Sequence, residues 1–146
     1  MVMRITSAVA IALTYLSPIA AFAQTAAPVS ENSLYIYRAN VVDVYDADTI
    51  TVDVDLGFYI WLHKQEFRLH GINAPEVTGI EKAEGEKARD FLRSKILGKQ
   101  VIIQSIKNPK EEEQKERYGE FVAIVWLDGV NLNDLLIKEG YAKPAD

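Results

Sequence analysis

Two runs of alternating residues, Leu34 to Val44 and Thr49 to Val54, stand on either side of a carboxylate-rich break, Asp46-Ala47-Asp48. Alternation rich in Tyr, Val and Ile is the period of a half-buried strand, so the pair predicts an antiparallel hairpin. Phe67 to Gly71 adds a third strand and makes a meander, and Pro75 ends its register because a proline removes a ladder donor. Between Glu81 and Leu97 the spacing becomes helical. Ala88, Phe91, Leu92 and Ile96 share one side, and Gly98 is a natural stop. Val101, Ile103 and, less cleanly, Ile106 resume the β pattern. Lys107 to Gly119 is a charged loop, and Phe121 to Leu127 is apolar enough for a strand buried on both faces. Asn131 then caps a second helix whose apolar face is Leu132, Leu135 and Leu136, and Gly140 ends it. The element order describes an α+β chain, mainly β.

Upstream of the first strand the chain has a different logic. Arg4, an apolar stretch from Ile5 to Leu16, and the small-residue sequence Ala21-Phe22-Ala23 follow the order of a secretory signal. The apolar run is broken by Thr14, Ser17 and Pro18 and falls short of the roughly 20 residues that span a bilayer. The expected organisation is therefore a signal peptide at 1–23, a flexible lead-in at 24–33 and one domain at 34–146, exported to the periplasm or secreted, with no membrane contact after signal removal.

The full chain carries a formal charge of −5, and loss of Arg4 with the signal makes the mature part more acidic still. A polyanion is usually bound through a basic footprint, so any phosphate-binding role has to come from a local cluster. The chain has no cysteine and only two histidines, His63 and His70, which excludes a disulfide framework, a thiolate zinc site and a histidine-rich cage. Both histidines are expected at the surface or in packing. The aromatic set Tyr35, Tyr37, Phe58, Tyr59 and Trp61 is expected in the core and on the strand surface rather than as a base-stacking platform.

Polar residues of a particular kind fall at the strand ends. Asp46, Asp48 and Thr49 lie in the first turn, Arg68 interrupts an apolar strand, and Asn73 and Glu76 flank Pro75. Two readings stay open on these residues alone. Asp46-Ala47-Asp48 is a good turn without any ligand, Arg68 can be a structural partner of Asp48 or Glu76, and Glu76 can serve a helix start. The alternative is that they converge on one mouth of a barrel.

Tyr45-Asp46-Ala47-Asp48-Thr49-Ile50, then Phe67-Arg68-Leu69-His70-Gly71-Ile72-Asn73-Ala74-Pro75-Glu76, then Arg117-Tyr118-Gly119 and Gly140-Tyr141-Ala142-Lys143, in this order, resemble the staphylococcal nuclease (thermonuclease) family from about Tyr35 to Lys143. The resemblance implies a five-stranded OB-type barrel with two helices packed on it, and a calcium-dependent phosphodiesterase acting on DNA and RNA. It implies Asp48, the side-chain oxygen of Asn73 and the carbonyl of Ala74 as ligands of a hard cation. It further implies Glu76 as general base, Arg68 as the phosphate clamp, and Arg117 and Tyr118 as nucleotide contacts, one a cation and the other a stacking surface. A monomer is expected.

Three departures bear on catalysis. Asn73 stands where the family has an aspartate, Glu120 stands where it has a phosphate-holding arginine, and the chain stops at Asp146, before the family's last tyrosines and helix. Loss of one donor aimed at transition-state charge typically costs ~10²–10³ in rate, and a negative charge there works against the reaction. Two functions follow: a metal-dependent nuclease with weakened catalysis, or a catalytically inactive OB module that binds an oligonucleotide or a protein.

Overall fold

A computed structural model describes residues 34–107 and 120–145. The expected signal peptide, the lead-in, and the loop segment carrying Arg117 and Tyr118 lie outside the described residues.

Strands β1 (Ile36–Val44), β2 (Thr49–Asp55) and β3 (Trp61–Leu69) form the expected antiparallel meander. A two-residue strand β4 (Ile72–Asn73) leads to helix α1 (Lys82–Ile96). Then come β5 (Gln100–Ser105), β6 (Phe121–Leu127), β7 (Val130–Asn131), helix α2 (Leu132–Lys138) and β8 (Lys143–Pro144). β1 pairs with both β2 and β5, and β5 pairs with β6. The ring closes where Phe67, Arg68 and Leu69 of β3 run parallel to Phe121, Val122 and Ala123 of β6. Closure of β1-β2-β3-β6-β5 yields a five-stranded barrel, which removes the exposed edges that an open sheet would leave.

Alternate residues of each strand fill the interior. Ala39, Val41 and Val44 of β1 meet Ile50, Val52 and Val54 of β2, with Phe67, Leu69, Val101, Ile103, Ala123 and Val125 from the others. α1 adds Ala88, Leu92 and Ile96 to this core. Those residues are each four positions apart, so they form one stripe along the helix. α2 adds Leu132 and Leu136, and its cap is the expected one: the Asn131 side chain accepts from the backbone N–H of Asn133 at 3.0 Å and of Asp134 at 3.3 Å.

Three features differ from expectation. β3 begins at Trp61 rather than Phe67, because the stretch from Leu62 to Glu66 pairs with β2 despite its poor alternation. Two-residue β4 continues past the turn at Gly71, so Pro75 follows two strands rather than one. The aromatic set divides: Tyr37 packs against the core, whereas Phe58 and Tyr59 are 94% and 103% exposed. They occupy the β2–β3 turn, past Val54, the last core residue of β2, with positive φ of 53° and 62°. His63 and His70 are both exposed, and His63 Nδ1 lies 3.1 Å from Asp53 Oδ2.

Candidate active site

The two carboxylates of Asp46-Ala47-Asp48 in the β1–β2 turn have different partners. Asp46 serves the turn itself: its Oδ1 accepts from the Asp48 N–H at 3.0 Å. That is the local Asx bond expected of a turn aspartate. Asp48 also reaches beyond its own turn: it is only 2% exposed and accepts from the Ala74 N–H at 2.7 Å and from Arg68 Nη2 at 3.1 Å through one oxygen, Oδ2. Its other oxygen is 3.4 Å from the Thr49 hydroxyl.

Arg68 is placed by strand pairing. It lies opposite Thr49 in the β2–β3 ladder, the residue next to Asp48, and the Asp48 carbonyl accepts from the Leu69 N–H at 2.7 Å. From there Nη2 donates both to Asp48 and, at 3.0 Å, to Asn73 Oδ1. Asn73 is held by a separate device. Its backbone pairs with Lys143 in the β4–β8 ladder, and that segment is anchored by Tyr141, whose ring stacks on Phe91 of α1 at 4.3 Å. The Gly140-Tyr141-Ala142-Lys143 motif therefore fastens the C-terminal segment beside the site. Asn73, Ala74, Pro75 and Lys143 also line a small cleft of about 80 Å³ with Glu81 and Tyr141.

Asp48, Arg68, Asn73 and Ala74 thus meet in one hydrogen-bonded set. Glu76 follows two residues after Ala74, exposed to solvent and outside that set. Burial pushes the Asp48 carboxyl up to about 7 from 3.8; the Ala74 N–H opposes the rise, nearby Asp46 adds to it, and Arg68 opposes it. Two buried carboxylates, Asp46 and Asp48, thus stand near one half-exposed guanidinium.

The donors available to a cation are all oxygens: the Asp48 carboxylate, the Asn73 amide and main-chain carbonyls. Among the described residues no three Asp, Glu, His or Cys side chains converge. Such a set fits a hard cation that keeps several waters, and it does not suit a soft metal. The Arg68 guanidinium already bridges the two side-chain oxygens, so a cation has to share them with it or displace it.

A family model described as "Staphylococcal nuclease homologue" matches residues 66–146, more than half of the chain. The chain belongs to the staphylococcal nuclease family. It is 31% identical over 106 residues to a thermonuclease of Staphylococcus hyicus, a match covering 70% of this chain and 56% of that protein. A thermonuclease of Staphylococcus intermedius is 29% identical over 103 residues, covering 68% and 55%. An uncharacterised protein of Bacillus anthracis is 31% identical over 107 residues, covering 71% and 45%. The chain spans about half the length of the curated relatives it matches.

Glu120, the departure expected from the sequence, is among the described residues. It lies one position before Phe121, where β6 meets β3 beside Arg68; the residue is half-buried, and its buried Oε2 has no hydrogen-bond partner among the described residues. Asn133 of α2 was not singled out by sequence reasoning. Its buried amide accepts from the Val125 N–H at 3.1 Å and donates to the His70 carbonyl at 2.9 Å, tying α2 to the strands that carry the site. Only its place beside the Asn131 cap gave a local signal, and that signal concerned the helix.

Proposed function

We propose that this chain is an exported phosphodiesterase that hydrolyses DNA or RNA with a divalent cation, calcium being the ion best suited to its oxygen donors, and that its catalysis is weakened. The observation that carries this reading is the hydrogen-bonded set of Asp48, Arg68, Asn73 and Ala74. It gathers a buried anion, a two-handed cation and a neutral oxygen at the mouth of a barrel of the kind that binds oligonucleotides.

In this reading Arg68 carries the phosphate. Its guanidinium gives up the bond to Asn73 and turns the freed donors to phosphate oxygens, so it stabilises charge that builds as water attacks phosphorus. Asp48 holds Arg68 from behind and keeps the Ala74 backbone in place. Glu76 accepts the proton of the attacking water as the new P–O bond forms and the opposite P–O bond breaks; its exposure leaves it open to water. Asp48, Asn73 and the Ala74 carbonyl hold calcium, which when bound supplies positive charge beside the phosphate. Arg117 and Tyr118 serve as nucleotide contacts, and the protein acts as a monomer.

The purified domain incubated with plasmid DNA and with RNA, plus calcium, should cleave above a Glu76→Ala control. Cleavage equal to that control removes the reading. Glu120 favours a second reading, a non-catalytic oligonucleotide- or protein-binding module, because an acidic group beside β3 repels the phosphate that Arg68 would hold. Calcium-dependent cleavage by the wild type excludes that alternative.

A further inference from the structure

Gly85 lies inside α1, where a glycine weakens a helix relative to alanine, and it is buried. What it faces is main chain. A Cβ at this position would run into the carbonyl carbon and oxygen of Glu76 and come within 2.7 Å of the Pro75 oxygen. Neither obstacle is the end of a flexible side chain, so an added methyl forces the Pro75–Glu76 backbone and α1 apart. The same short segment is fixed on its other side by the Ala74 N–H bonded to buried Asp48.

We infer that Gly85 is a positioning residue: by letting α1 touch the Pro75–Glu76 backbone, it sets where the Glu76 carboxylate stands relative to Asp48 and Arg68. The inference rests on Glu76 being the base. The atoms that a Gly85 methyl would meet first are the Glu76 carbonyl and the Pro75 oxygen, not the Asp48 or Asn73 side chains, so its loss should fall on the chemical step more than on binding. A displacement of the order of 1 Å is enough to cost ~10²-fold in rate. A purely helical role gives the opposite result, since Gly to Ala inside a helix ordinarily raises stability.

The test is Gly85→Ala in the full mature domain. Expected is a kcat lower by ~10–100-fold, with KM and the affinity for calcium plus a nucleotide bisphosphate within twofold of wild type. In a double-mutant cycle, Gly85→Ala combined with Glu76→Gln should be no slower than Glu76→Gln alone, because both act through one carboxylate. Retained kcat with a raised Tm overturns the inference, as does a double variant slowed by the product of the two single effects. If Gly85→Ala does not fold, Pro75→Ala releases the same backbone without adding an atom at the helix. It must then show the same loss of kcat at unchanged KM, and full activity overturns the inference. Residual dipolar couplings of the Ala74, Glu76 and Val77 amides distinguish the two possible failures. A wild type without cleavage removes the catalytic reading, whereas couplings unchanged by Gly85→Ala remove the positional one.

Discussion

The Asp48 carboxylate accepts the backbone N–H of Ala74, 26 residues further along the chain, at 2.7 Å. This bond joins the β1–β2 turn to the segment that leads from β4 into α1, and it does so from a side chain removed from solvent. The consequence is a conflict built into the site. In the proposed function the carboxylate is needed as an anion to hold Arg68 and a cation, yet burial and Asp46 favour its protonated form.

Stability should therefore depend on pH in a direction opposite to that of an ordinary salt-bridged aspartate. A carboxyl whose folded value is raised from 3.8 to about 7 binds its proton more tightly in the folded state, so its contribution is best below 3.8, declines as pH rises toward 7, and is level above. Asp53, lowered chiefly by the Lys64 N–H, works in the other direction, but only below its ordinary range. Urea unfolding in the absence of metal, from pH 4 to pH 8, should show the decline in wild type and its loss in Asp48→Asn. A wild-type profile that rises across this window contradicts the assignment.

Calcium should reverse that trend, because a cation beside Asp48 favours the ionised form. Affinity measured by calorimetry is expected to fall steeply below pH 7 as protons compete for the same oxygen. Binding unchanged between pH 5.5 and pH 8 places the ion elsewhere.

Asn73→Asp adds a second anionic donor on the atom that Arg68 already contacts. Calcium affinity should rise by about tenfold, in line with the influence of ligand charge on such sites. The check is calorimetry at fixed ionic strength, with an equal or weaker affinity counting against Asn73 as a ligand.

Glu120→Arg should raise the cleavage rate by at least ~10-fold, since a repelling charge becomes a donor to the phosphate. Glu120→Gln should fall between the two. Steady-state kinetics on single-stranded DNA reads both, and a rate unaffected by either change means that Glu120 lies out of reach of the phosphate.

Asn133→Ala should destabilise the domain by about 1–3 kcal/mol, because it leaves the buried Val125 N–H without an acceptor and the His70 carbonyl without a donor. Urea unfolding measures the change. Asn133→Asp should do no better, since it keeps the acceptor but replaces the donating amide by a charge.

Much of the architecture was legible along the chain. Alternation in β1 and β2, the Asn131 cap and the helical stripe Ala88, Leu92 and Ile96 are local signals, because strand and helix periods appear directly in residue order. The β3 start was missed because Trp61 to Glu66 owes its strand state to pairing with β2, which no local pattern records. Phe58 and Tyr59 look like core by composition and stand in solvent, since burial depends on whether the barrel extends that far.

The candidate site divides in the same way. Residue order determined the family and nominated Asp48, Arg68, Asn73 and Glu76, because motif identity and spacing are properties of a linear chain. Only the folded chain decided that Asp46 serves its own turn while Asp48 crosses to Ala74, that Arg68 bridges two candidate ligands, and that a glycine in α1 lies against the backbone of Glu76. Those relations depend on distances between segments brought together by barrel closure, and a side chain's burial, charge state and neighbours come into being only when that closure is complete.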